Sequence, residues 1–203
     1  MDTMSNNIFK GFIDNILKFF KKKENKYRKK QSIVDLLYVQ LYDYDSYDHY
    51  ININMSISKN FNMSEFAVSA AASAKGHTIV IPEDLKPNIV ALVINLLQPI
   101  CDATGWKDKI NSGYRDDFTN NLVGGAKGSQ HTKGEAADNM FYKFVDGKAE
   151  YLKPIEVLRK VIELNLDFDQ MIAYPGFVHL SYTTDRENRK QVLYNKSYKG
   201  EKL

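Results

Sequence analysis

Residues 129–142 read SQHTKGEAADNMFY, and the fold turns on how this stretch is read. A loop ending in His131 and Gly134 runs into a strand expected over 135–142. Strand alternation puts Asp138 on one face with Ala136 and Met140. A carboxylate in mid-strand, among small and apolar neighbours, is costly to bury unless something pairs with it. His131, at the end of a Gly-rich loop, can fold back over the start of that strand. A second histidine sits in the FVHLSY segment, residues 177–182. There alternation gathers Phe177, His179 and Ser181 on one face. Taken singly these signals are weak, because a lone strand histidine is more often a satisfied core residue. Together, two imidazoles and one carboxylate make a three-ligand zinc site with an open fourth position. That is the catalytic pattern rather than the closed structural one.

Working outward, Pro154 suits the first turn of a helix, with Ile155, Leu158, Val161 and Ile162 inward. Residues 168–173, 177–182 and 191–194 read as strands of an antiparallel sheet. Upstream, Ser64 and Glu65 can cap a short helix through the Ala-rich stretch 66–74, which Gly76 can end. Ile89, Leu92, Val93, Leu96, Leu97 and Ile100 form an apolar stripe at three- and four-residue spacing. This predicts a core helix from about Lys86, kinked or ended by Pro99. Residues 109–112 are a short strand candidate, and 116–130 read as a loop rich in Asp, Asn and Gly. Helices come first and a sheet later, so the class is α+β.

The chain has 203 residues, 43% of them hydrophobic, which suits one cored domain and an appendage. The single cysteine, Cys101, excludes a disulfide framework and any Cys-built zinc site. No apolar run approaches the roughly 18 residues of a membrane span. A net charge of +3 is too weak to argue for a nucleic-acid partner, and it is unevenly spread. Residues 1–31 hold nine Lys/Arg against three acids, a net of +6, leaving −3 on the other 172 residues. Ile8, Phe9, Phe12, Ile13, Ile16, Leu17, Phe19 and Phe20 recur at helical spacing before the basic run from Lys21 to Lys30. It reads poorly as a secretory signal, since charges interrupt it and no small-residue cleavage site follows. It reads as a helix packed on the main domain or as an amphipathic helix contacting a membrane or virion surface. Residues 35–50 are rich in Tyr and Asp, but Asp43, Asp45, Asp48 and His49 match no calcium loop. The domain split is expected at residues 1–60 and 61–203.

The motifs resemble those of a known family of zinc peptidases. It includes D-alanyl-D-alanine carboxypeptidases, D-Ala-D-Ala dipeptidases and phage L-alanyl-D-glutamate endolysins. The family pattern Ser-x-His-x-x-Gly-x-Ala-x-Asp stands here as Ser129, His131, Gly134, Ala136 and Asp138. Its aromatic-Val-His stands as Phe177, Val178 and His179, and its Ser-Gly-Tyr-Arg as Ser112, Gly113, Tyr114 and Arg115. Ser64-Glu65-Phe66 and Phe168-Asp169-Gln170 look like the same subgroup. The resemblance covers about residues 60–197.

This resemblance implies a small antiparallel sheet flanked by helices, of the hedgehog/D,D-peptidase type. It makes His131, Asp138 and His179 ligands of one zinc ion. Arg115 would stabilise an oxyanion or hold a substrate carboxylate; the bland alternative is an ion pair with Asp116 or Asp117. Ser129 and Gln130 would shape the loop and bond to substrate. The sequence departs from the pattern at the general base. Many members carry an acid three residues before the last histidine, where this chain has Gly176. Asp169 is the candidate base, with Asp167 and Glu135 as alternatives, and Asp169 reads equally well as a residue orienting a ligand histidine. The implied activity is zinc-dependent hydrolysis of bacterial cell-wall stem peptides, as a D,D-carboxypeptidase or an endolysin-type endopeptidase. A phage lysin or virion-borne enzyme that reaches the wall fits the expectation of no signal peptide. The alternative is a non-catalytic module that binds peptidoglycan on the same zinc fold.

Overall fold

The apolar stripe at Ile89 builds the helical layer. Helices are numbered α1 to α5 and strands β1 to β8 along the computed structural model, which describes residues 56–203. The amphipathic helix, the basic run and the Tyr- and Asp-rich stretch lie outside the described residues.

Helix α2 (Lys86–Leu92) continues through a π-helical turn (Val93–Leu97) into α3 (Gln98–Thr104). Pro99 does not end this helix: a widened π-helical turn lies just before it, and the helix runs on to Thr104. It stops at Gly105, whose φ of 72° ends the helix in the left-handed region. All six stripe residues are at most 1% exposed.

Ahead of it, β1 (Ser56–Ser58) and β2 (Phe61–Asn62) form a small hairpin. Ile57 and Phe61 are both buried in the main core. The hairpin therefore straddles the boundary expected at residue 60, and the domain starts no later than Ser56. A short 3-10 turn, Met63–Phe66, follows Asn62, whose backbone N–H donates to Glu65 Oε2. Ser69 then caps α1 (Ala70–Ser73) by accepting from the Ala72 amide. The expected helix over 66–74 is thus two shorter pieces, because residues near Ser69 bridge to Ser112 at the sheet edge.

The main sheet has the order β3-β4-β7-β6-β8, with β5 also paired to β4. Its strands are β3 (Lys107–Ser112), β4 (Ala136–Val145), β5 (Lys148–Tyr151), β6 (Gln170–Ala173), β7 (Val178–Ser181) and β8 (Gln191–Tyr194). Sequence reading missed β5, although Asp146-Gly147 is a hairpin signal and both residues take positive φ. Within the expected loop, α4 (Asp117–Leu122) forms because Asp116 caps it, accepting from the Thr119 amide at 2.8 Å. Helix α5 (Pro154–Glu163) packs on β6 and β7 through Ile155, Val157, Leu158 and Val161, while Ile162 faces solvent instead.

The sheet departs from the wholly antiparallel one expected, because β8 runs parallel to β6. The chain leaves β7 at the end where β6 begins, crosses over that end, and starts β8 beside it. Lys190 N donates to Phe168 O and Gln191 N to Asp169 O, which hold the crossing in place. Asp169 is the staple. Fully buried, it accepts from both Nη atoms of Arg186, from Nε and Nη2 of Arg189, and from the Arg189 amide. Burial alone would raise its pKa, but these donors hold the carboxyl well below the usual carboxylate range.

One face of the sheet, carrying Ala137, Phe141, Met171, Ala173, Val178 and Leu180, closes the core against the helices. The other face of β4 and β7 carries Asp138 and His179.

A native pKa held low stabilises the fold fully above the unfolded value of about 3.9, and that stability is lost as pH falls through the native value. Asp169→Asn should therefore cost about 1–3 kcal/mol at pH 7, a figure moderated by the half-exposed arginines, and progressively less in strong acid. Urea unfolding at both pH values checks this; a variant as stable as wild type at pH 7 would contradict it.

Candidate metal centre

His131 lies in a 3-10 turn, Gln130–Lys133, which Gly134 ends at φ 69°. A Cβ on Gly134 would come within 3.1 Å of Ile89 Cγ1 and Leu85 O, so a bare α-carbon suits both the turn and its packing. The ring is 2% exposed, and its Nδ1 is 2.6 Å from the carbonyl oxygen of Gly113. A carbonyl only accepts, so Nδ1 carries the proton and Nε2 presents a bare lone pair. Gly113 itself is forced, since a Cβ there would sit 2.5 Å from Phe66 Cα and O.

Asp138 and His179 face each other across the β4–β7 ladder. Three atoms converge: His131 Nε2 and His179 Nδ1 are 3.1 Å apart, His179 Nδ1 and Asp138 Oδ1 3.1 Å, and His131 Nε2 and Asp138 Oδ1 3.3 Å. Among the described residues, no other His, Cys, Asp or Glu joins this group. His179 Nδ1 has at most one proton to share between two acceptors. The bare Nε2 and the carboxylate oxygen, 3.3 Å apart, have none between them. A cation at the centre removes that mismatch. Tetrahedral zinc with bonds near 2.05 Å holds its ligand atoms about 3.3 Å apart, close to the observed triangle. The residues present therefore fit a zinc ion.

The protonation states agree. Burial favours a raised Asp138 pKa, but the neighbouring His131 and His179 rings hold the carboxyl well below its ordinary value. Burial pushes the His179 pKa down, against the pull of Asp138, which keeps the imidazole neutral and able to bind metal. Arg115 Nη2 bonds to Asp138 Oδ2, and its Nε donates to Ser112 Oγ at 2.8 Å. The Arg115 amide also donates to the His131 carbonyl. So Arg115 pairs with Asp138, not with Asp116 or Asp117. Asp116 instead bonds His77 at 2.6 Å.

A family model described as Peptidase M15 matches residues 59–181, more than half of the chain. The chain belongs to the M15 zinc peptidases. The family includes D-Ala-D-Ala carboxypeptidases and endolysin-type members. No curated protein matches the chain.

Within this M15 domain the expected bases Asp169, Glu135 and Asp167 have other partners. Asp169 is the main correction. Its amide bonds the Ser181 carbonyl, whereas His179 pairs with Ile172, three residues further along β6. That offset is about 10 Å of strand. With its oxygens committed to two guanidiniums and its basicity depressed, Asp169 is a poor proton acceptor, and it contacts neither ligand histidine. Glu135 is 3% exposed and accepts from Thr183 Oγ1 at 2.6 Å and Gln130 Nε2 at 3.3 Å. Asp167 bonds Asn188 at the surface. The Gln130 amide braces Glu135 and Arg189, and the Ser129 carbonyl accepts from Thr132 Oγ1. Sequence reasoning missed the Gly113 carbonyl and the Ser112 hydroxyl as supports; both lie in the motif that carries Arg115.

Gly113→Ala should displace the carbonyl that sets the His131 tautomer. We expect zinc affinity to fall about 10–100-fold, the usual cost of losing a group that orients a ligand. Competitive zinc titration measures it, and unchanged affinity would show that the His131–Gly113 bond is dispensable.

Proposed function

We propose that the chain hydrolyses peptide bonds in the stem peptides of bacterial cell walls, with one zinc ion held by His131 Nε2, His179 Nδ1 and Asp138. The observation that carries this reading is the convergence of three potential ligand atoms around one point, buried on the sheet face opposite the core. Zinc held there would supply Lewis acidity toward water and toward a substrate carbonyl. The chain's own residues do the rest. Asp138 and the imidazoles offer three donors and leave the fourth side free. Gly113 fixes the His131 ring. Arg115 orients Asp138 and brings positive charge beside the point where an oxyanion would form. A D,D-carboxypeptidase or an endolysin-type endopeptidase is the finer form we favour, in a phage-related setting, with Ser129 and Gln130 at the substrate's edge. Residues 1–31 would serve as a membrane or virion contact.

The second reading is a peptidoglycan-binding module that keeps the zinc site without cutting. Gly176 favours it, standing where relatives carry an acid, together with the lack of any further described carboxylate in the group.

Purified full-length protein should release new amino groups from peptidoglycan. Chelation should abolish this and added zinc restore it. His179→Ala should lower the rate by about a hundredfold or more. Zinc and wall binding without any released amines would establish the module; mass spectrometry of the products would name the bond.

A further inference from the structure

Four residues beyond Asp138 along β4, the same face of the sheet changes character. Tyr142 and Phe144 alternate with Asp138, and the strand rise puts Tyr142 about 13 Å from it. Tyr142 pairs with Tyr151 and Phe144 with Ala149 across the β4–β5 hairpin. Phe144 is 63% exposed and Tyr151 52%, high values for rings on a paired sheet. Their panels meet at angles: the Tyr142 ring is 5.7 Å from Phe144 at 82° and 5.6 Å from Tyr151 at 52°. These rings, with Val68, Glu65 and residues 108–110 of β3, line an open cleft of about 440 Å³.

The open lining carries no net charge. Glu65 and Lys109 carry opposite charges, and both Asp108 carboxylate oxygens are shut away from solvent. Flat apolar panels rimmed by two phenol hydroxyls, a carboxylate and an ammonium match a ligand with an apolar C–H face and a hydroxyl edge. The volume accommodates a few sugar rings, and the cavity continues the face that presents the metal-binding group.

We propose that this cavity binds a neutral saccharide of pyranose rings, stacked on Phe144 and Tyr151, and so holds the glycan strand that bears the stem peptide. The identity of the glycan rests on the wall-peptide reading above; the saccharide chemistry rests on the cavity alone. It makes the enzyme favour peptides still attached to their sugar backbone over free peptides.

The test uses the full chain and two exposed-ring variants, Phe144→Ser and Tyr151→Ser, with thermal unfolding as the check on folding. Calorimetric titration with an N-acetylglucosamine tetrasaccharide should give saturable binding, weakened about tenfold in each variant, the scale of one lost ring contact. Rates on intact wall should fall about fivefold or more while rates on a free stem peptide hold, since the subsite raises the local concentration only of attached peptides. Saturable, ring-dependent binding with no hydrolysis of any wall substrate would keep this inference and remove the enzymatic reading. Absence of tetrasaccharide binding, or binding indifferent to both variants, would overturn the inference.

Discussion

Two bare acceptors held 3.3 Å apart with no proton between them set the terms for this domain. In the neutral ring His131 Nε2 lacks a proton because the one proton sits on Nδ1, which donates to the Gly113 carbonyl, and Asp138 is kept ionised by its neighbours. Buried acceptors facing each other repel, and the low polarity of the site makes that repulsion costly. A divalent cation turns the cost into binding. Much of the nearby architecture keeps the acceptors in place: the glycine at 113 that lets its carbonyl approach, the turn closed by Gly134, and the ladder that sets Asp138 opposite His179.

The same logic separates this centre from the other charged cluster. Asp169 is as deeply buried as Asp138, but its oxygens face guanidinium donors that satisfy them. Such a group is already neutralised and has nothing left to give to a metal or a proton. It fastens the chain where it crosses from β7 to β8, and so helps hold the strand carrying His179 against its neighbour. Two buried aspartates with depressed pKa values thus do different jobs, and the donor facing each one decides which.

Much of this was legible in the sequence. The period-2 pattern gave the strand neighbours of Asp138 and of His179, and the stripe from Ile89 to Ile100 placed the core helix. What escaped depended on distant contacts. The π-turn before Pro99 is a local accommodation that packing rewards, invisible to a helical-period reading. The parallel entry of β8 follows from where the chain crosses the sheet end, not from the composition of residues 191–194. The role given to Asp169 failed for the same reason. A carboxylate near the right motif looks like a base until Arg186 and Arg189 are seen to occupy it. Gly176 stands where the resemblance leads one to expect an acid, and among the described residues no further carboxylate joins the metal-binding group.

The most direct test is a crystal structure of the full chain, purified without chelator, with diffraction recorded on either side of the zinc absorption edge. The account predicts one anomalous peak about 2.0–2.2 Å from His131 Nε2, His179 Nδ1 and an Asp138 oxygen. A map with no peak there and the two imidazoles hydrogen-bonded to each other, or zinc lodged at other residues, would contradict it.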